Sequence, residues 1–247
     1  MNSLLYITMI GFIAGVTGTL GGGLAVIVFK EIKARFLCVI LGISAGVMTA
    51  IVFLDLIPEA IEEGSLWTAL LGLFLGIILI YMLDITFPHQ HVVSKEGEAG
   101  KYLKAGLLLA VGIALHNLPE GLAIGAGFTA DAAMGIRLAI LIALHNFPEG
   151  MAVATTLGIA GLTNGKIALI TILAGVPMGI GAFFGAYVGR ISEFALSTAL
   201  GFAAGAMLYI IFEELIPDAH EKAGGHTPIM GILAGVIMGI VLIVLLH

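Results

Sequence analysis

A single cysteine, Cys38, stands in a chain of 247 residues. No intrachain disulfide can form, and no thiolate cluster can hold a metal. Charge is scarce too: Asp, Glu, Lys and Arg make up 11% of the chain, against about 25% in soluble domains. Only 10 residues are Lys or Arg and the formal net charge is −6. That excludes the basic field by which nucleic acid is attracted, so no nucleic acid is expected as a partner. No polar stretch is long enough to form a soluble domain of its own. What the chain has instead is apolar residues, 60% of the total, and a mean hydropathy of +1.16. Glycine is abundant at 35 residues. It recurs in small-xxx-small pairs such as Gly72/Gly76, Gly201/Gly205 and Gly231/Gly235/Gly239, the spacing that lets membrane helices approach closely. The lipid bilayer is therefore the expected solvent.

Runs near the length needed to cross about 30 Å of hydrocarbon lie at about 3–29, 36–58, 66–87, 103–128, 133–158, 166–189, 194–217 and 227–246. The first lacks a basic leader and ends at Lys30 rather than at a small-residue cleavage site, so it is expected to be a retained span rather than a secretory signal. The predicted fold is an all-α integral membrane protein, one polytopic domain over residues 1–247. Residues 88–102 are predicted to form a cytoplasmic, histidine-containing loop. Lys30, Lys33, Arg35, Lys95, Lys101, Lys104, Lys166 and Lys222 fall on one side of the spans, and only Arg137 and Arg190 on the other. By the positive-inside rule both termini are non-cytoplasmic.

Two internal likenesses set the symmetry. Leu41-Gly42-Ile43-Ser44-Ala45-Gly46-Val47-Met48 in the second span resembles Leu200-Gly201-Phe202-Ala203-Ala204-Gly205-Ala206-Met207 in the seventh. The likeness resumes between Asp55-Leu56-Ile57-Pro58-Glu59 and Glu214-Leu215-Ile216-Pro217-Asp218. Spans an odd number of crossings apart run in opposite directions. The pattern thus predicts an inverted repeat, spans 1–3 against 6–8, around a central 4–5 pair. Secondary transporters build mid-membrane sites in this way.

The central pair carries the chemistry. His116-Asn117-Leu118-Pro119-Glu120-Gly121 returns 29 residues later as His145-Asn146-Phe147-Pro148-Glu149-Gly150. An acidic side chain at the centre of a spanning helix costs roughly 2.5–3.5 kcal/mol on translocon scales, and a divalent cation is the simplest compensation. His and Glu at i and i+4 share one helix face, about 6 Å apart along the axis. His116 with Glu120 and His145 with Glu149 thus offer two imidazoles and two carboxylates, a set suited to zinc or iron(II). Asn117 and Asn146 lie about 100° round their helices, placed to contact a second ion or to support the ligands. Pro119 and Pro148 cannot donate to the carbonyls of Leu115 and Leu144, which predicts a kink at each motif. Gly121 and Gly150 are expected to leave room beside the carboxylates. A lone intramembrane histidine is more often a packing residue, and a lone acid on a kinked helix a proton relay. Packing alone does not explain a six-residue element repeated with five identities.

On these residues the chain resembles the ZIP (Zrt/Irt-like) family of divalent metal transporters, most closely its GufA/ZupT-like prokaryotic branch, over essentially its whole length. The resemblance implies transport into the cytoplasm by alternating access, of an elevator kind. It makes His116, Asn117, Glu120, His145, Asn146 and Glu149 the ligands of the transport site, with Met48, of the Ala45-Gly46-Val47-Met48 segment, near the first metal. Many relatives carry a Glu-Pro pair in the sixth span that completes a second metal position. Here the pair is Val176-Pro177, which predicts a mononuclear site supported by asparagine.

The expected function is secondary transport of a divalent transition metal, zinc foremost, with iron(II), manganese, cobalt and cadmium as further cargo. The metal is bound as substrate and no separate cofactor is expected. A homodimer in a prokaryotic inner membrane completes the expectation. The competing class is an intramembrane metal-dependent hydrolase, for which neither an HExxH nor a GxSxG element is expected and whose chemistry does not call for two symmetric copies.

Weaker candidates flank the site. Asp55 and Glu59, with Glu62 and Glu63 beyond, form either an acidic funnel outside the site or a solvated helix end. Glu213, Glu214 and Asp218 occupy the cytoplasmic end of the seventh span, and by resemblance Glu214 lies on the exit path. His89 and His91 make either a regulatory metal motif or a solvated loop, and Asp84 either cooperates with it or snorkels to water. His220 and His226 are expected in solvent, and Asp131 and Arg137, flanking the 4–5 turn, as topological or pairing residues.

Overall fold

Hydrocarbon offers a backbone no partner but itself, so a chain this apolar folds as helices. The computed structural model describes residues 3–29, 33–86, 98–222 and 225–246, and the paired His89 and His91 lie outside them. Among the described residues, 8 helices are long and apolar enough to cross a membrane. They are α1 (Leu4–Phe29), α2 (Arg35–Glu63), α3 (Leu66–Thr86), α4 (Ala99–Ala130), α5 (Ala132–Ile159), α6 (Asn164–Gly189), α7 (Glu193–Glu221) and α8 (Thr227–Leu245).

Local chemistry sets the turns between them. Asp131 separates α4 from α5, and its carboxylate accepts the Met134 N–H at 3.1 Å, satisfying one of the donors a helix start leaves open. Ser192 does the same for Ala195 at the start of α7. After α5 the chain reverses at Gly161, whose φ of +82° is the left-handed conformation glycine adopts cheaply. There the Leu162 N–H reaches back to the Leu157 carbonyl and the Gly161 N–H to Gly158, closing the helix end.

Helix pairing displays the predicted inversion. α1, α4, α5 and α6 pack into one bundle, and α2, α3, α7 and α8 into another. Exchanging α1 with α6, α2 with α7, α3 with α8 and α4 with α5 maps the packing onto itself: α2·α8 becomes α7·α3, and α1·α5 becomes α6·α4. The two bundles meet chiefly where α4 touches α7 and where α5 touches α2, again mates under the exchange. α5 is the most enclosed, with 72% of its apolar window buried, and α3 the most lipid-facing at 22%.

Small residues make the contacts within the bundles. A Cβ on Gly72 or Gly76 would collide with the α7 backbone at Thr198 and Phe202, and one on Gly201 or Gly205 with α3 at Ala69 and Leu73. Gly46 and Gly235 bring α2 and α8 together in the same way. Gly121 and Gly150 behave likewise, and this corrects the expectation that they clear space beside the carboxylates. A Cβ on Gly121 would strike the Met178 carbonyl of α6, and one on Gly150 the Thr19 carbonyl of α1. Each seats its motif helix against a neighbour in the same bundle. Gly121→Ala is therefore expected to lower stability by about 1–3 kcal/mol through overpacking, measured as a reduced thermal midpoint of the purified protein in detergent; an unchanged midpoint would show that α6 yields freely.

α2 and α7 share an irregularity that the apolar pattern does not announce. Both pass through a single π-helical turn, Val52–Leu56 in α2 and Ile211–Leu215 in α7. Pro58 and Pro217 follow at once, and the wider turn accommodates their missing N–H groups. α2 consequently runs through Pro58 to Glu63 and α7 through Pro217 to Glu221, beyond the ends at 58 and 217 expected from the apolar runs. Each π turn carries one acid inward, Asp55 in α2 and Glu214 in α7.

Candidate metal centre

α4 and α5 both continue through their prolines, Pro119 and Pro148, as unbroken helices. Their motif faces meet in the interior. Asn117, Glu120 and Asn146 are 0% exposed, His145 2%, Glu149 3% and His116 4%, so every polar group among them has been taken out of both water and lipid.

Three of the six converge. Ligating atoms of Glu120, His145 and Glu149 lie within 4.8 Å of one another. His145 Nε2 donates to Glu120 Oε1 at 2.8 Å. Glu149 is left without a hydrogen-bond partner on either oxygen, as is Glu120 on Oε2. A buried carboxylate with no donor carries the full cost of its lost hydration. Two acids and an imidazole around one point form a donor set that a divalent cation would satisfy.

The remaining motif residues are placed differently. His116 turns toward α7, and its Nε2 is 2.8 Å from Glu214 Oε1, outside the group of three. Asn146 donates to Asn117 Oδ1 at 2.6 Å. Asn117 in turn donates to the Ala174 carbonyl of α6 at 2.9 Å, on the turn preceding Pro177. Asn146 Oδ1 has no donor and remains the free oxygen of the amide pair. Val176, half-buried two residues after Ala174, brings no oxygen to that side of the site. Met48 is fully buried in α2, one turn beyond Ser44 and on the same face. The Ser44 hydroxyl donates to the His145 carbonyl at 3.0 Å, so this face of α2 is the one laid against the motif of α5.

Among the flanking candidates, Asp55 is buried and gripped by Arg137 through two charge-assisted hydrogen bonds, Nη2 to Oδ1 at 2.7 Å and Nε to Oδ2 at 2.9 Å. Glu59 and Glu63 are half-buried and Glu62 exposed at the end of α2. Asp218 is half-buried and Glu213 exposed. Asp84 accepts from the Tyr209 hydroxyl at 3.0 Å, joining α3 to α7. His220 and His226 are exposed.

Sequence reasoning gave Ser44 no role and kept Arg137 at the 4–5 turn. A signal existed for the second: an arginine five residues inside an apolar helix requires a counter-charge. For the first there was a misleading one, and it corrects the expectation that the chain holds no GxSxG element. Gly42-Ile43-Ser44-Ala45-Gly46 has the G-x-S-x-G spacing of a hydrolase nucleophile, whose chemistry requires a sharp strand-to-helix turn and an adjacent base. Here it lies inside α2, with the hydroxyl spent on a backbone carbonyl.

An inverted repeat of eight membrane helices with a buried, under-satisfied acidic site between its two halves defines a secondary transporter for a cation. Known proteins agree. The profile of the family described as ZIP Zinc transporter matches residues 88–247. Zinc transporter ZupT of Chlorobium phaeovibrioides is 34% identical over an alignment covering 95% of this chain and 96% of its own. Zinc transporter ZupT of Corynebacterium glutamicum is 36% identical, covering 87% and 89%. Zinc transporter GufA of Myxococcus xanthus is 35% identical, covering 69% and 68%. The chain belongs to the ZIP family, in its GufA/ZupT-like branch, and is a transporter rather than a hydrolase.

Proposed function

We propose that this integral membrane protein carries a divalent transition metal, zinc foremost, into the cytoplasm by alternating access around the α4–α5 site. One observation carries the reading: Glu120, His145 and Glu149 converge, fully buried, with three carboxylate oxygens lacking a donor. Glu120 and Glu149 neutralise the cation. His145 inclines the site toward borderline metals over Mg²⁺ and Ca²⁺. His116, outside the group of three and paired with Glu214 in this structure, turns to the ion as the fourth ligand and links it to the way out, and Asn117, Asn146 and Met48 surround the ion. Iron(II), manganese, cobalt and cadmium are further cargo compatible with these donors.

The protein sits in a prokaryotic cell membrane with both termini outside the cytoplasm, a reading supported by the Lys and Arg distribution. Association into a homodimer belongs to the same reading, with the outward faces of α3 and α8 available for it. With Val176 before Pro177 adding no carboxylate to the site, one ion is bound per site.

Uptake by purified protein in liposomes, measured for Zn²⁺, Fe²⁺, Mn²⁺, Co²⁺ and Cd²⁺ beside Mg²⁺, tests this. Saturable uptake of the first group and none of Mg²⁺ is expected, and a non-saturating conductance would indicate a channel instead. Val176→Glu is expected to raise bound zinc from one ion per chain to two; unchanged stoichiometry would place the second carboxylate position elsewhere in α6 or show that the asparagines already complete it.

A further inference from the structure

The Asp55–Arg137 pair belongs to no ligand set, yet it is deeply enclosed, with side chains 6% and 4% exposed. It also occupies a special place. Asp55 is in α2 and Arg137 in α5, so the pair joins the two bundles at one of the contacts where they meet. Arg137 lies two turns from His145 along α5, about 12 Å toward the Asp131 end. Glu59 and Asp131 are within electrostatic reach of the same guanidinium, which places the pair below the acidic rim on that side.

The internal symmetry shows what the pair withholds. Val52–Leu56 and Ile211–Leu215 are equivalent π turns, and Asp55 is the mate of Glu214. Glu214 meets its motif histidine, His116, at 2.8 Å. The mate of His116 is His145, so the equivalent contact would join Asp55 to His145. It is not made: Asp55 is held by Arg137 and His145 faces Glu120. The side of Glu214 thus connects to the site, and the side of Asp55 is closed off from it. In an inverted-repeat transporter alternating access moves one repeat or bundle against the other around the fixed site, and exchanging the arrangements of the two halves is what the symmetry offers for the opposite-facing state. That state brings Asp55 to His145, and for this Arg137 must let go.

We infer that Asp55 and Arg137 form a latch between the bundles that closes the external route to the site, and that its opening is required for cargo to enter. The external placement rests on the orientation proposed above. Two bonds in a fork geometry hold a carboxylate better than a single charge contact, and neither ion can be left alone at this depth; when Asp55 moves to the transport site, Glu59 and Asp131, within electrostatic reach of the guanidinium, take it over. The latch is therefore a two-position device: Asp55 is paired either with the guanidinium or within the transport site.

Ser44→Cys in a Cys38→Ser background provides a reporter, nearly isosteric with the native residue and facing His145. Its labelling by a membrane-impermeant maleimide is measured in right-side-out and inside-out vesicles holding the full-length protein. Asp55→Asn combined with Arg137→Gln removes both charges and strands neither, and a near-native thermal midpoint in detergent checks that the fold is retained. In this variant labelling from the external face is expected to rise about tenfold, the population shift of a latch lost. Arg137→Lys, which keeps an ion pair, is expected to stay near the native rate. An uncharged variant that labels no faster than native, or a lysine variant that labels as fast as the uncharged one, overturns the latch. Labelling requires neither metal nor flux, so these outcomes stand apart from the ligand assignment. A rise confined to the opposite face would keep the latch and overturn the orientation.

Discussion

Glu149→Leu is expected to cut zinc flux in liposomes by about a hundredfold or more, since even residues that only orient a ligand cost 10–100-fold when removed. The same substitution is expected to stabilise the metal-free protein. Both carboxylate oxygens of Glu149 are buried without a donor, a situation that costs roughly 1–3 kcal/mol per group, and leucine fills much of the same volume without that cost. The thermal midpoint in chelator should therefore rise, while the further rise expected from zinc binding only the folded native protein should vanish. Native-like uptake would remove Glu149 from the site. A lowered midpoint in chelator would mean that the carboxylate already has a partner.

Glu120→Leu is expected to abolish flux to a similar degree with the opposite effect on stability. Glu120 accepts from His145 at 2.8 Å with both side chains fully buried. Breaking one half of such a pair strands the other, at a cost of about 3–5 kcal/mol when both are charged. The midpoint in chelator should fall. The two acids stand at equivalent positions of a repeated motif, so a composition-based account predicts equal shifts. Shifts of equal size and sign would therefore refute the asymmetric pairing of the site.

That asymmetry is the point at which the repeat stops being informative. Identical hexapeptides predict two equivalent imidazole–carboxylate faces meeting on one axis. In the structure His145, Glu120 and Glu149 gather, while His116 is drawn to Glu214. The motif sets which side chains lie on which helix face, because that depends only on residues three and four apart. Which of two equivalent histidines finds which acid depends on α7 and α2, more than fifty residues away in the chain. The state of the two bundles decides it.

Other features were legible to different depths. Eight spans and the inverted repeat follow from apolar run lengths and from the likeness of Leu41–Met48 to Leu200–Met207, and the packing bears both out. The glycine pairs marked real interfaces, α3 with α7 and α2 with α8. Their partners were not legible, because small residues announce a close contact but not its other side. Gly121 and Gly150 were misjudged for the same reason. Pro58 and Pro217 look like helix ends, and only the π turns reveal how the helices pass them. Asp55 offers the plainest case: as an acid near a helix end it suggests an open funnel, whereas its position in the π turn directs it inward to Arg137.

By itself the sequence determined the solvent, the number of crossings, the inversion and the donor types of the site, since each is a matter of local spacing and of the cost of polar groups in hydrocarbon. Tertiary structure alone decided the pairings: His116 with Glu214, His145 with Glu120, Asp55 with Arg137. A buried charge must be matched by whatever the fold brings within about 3 Å, and in a protein of two bundles that partner is set by how the bundles stand against each other.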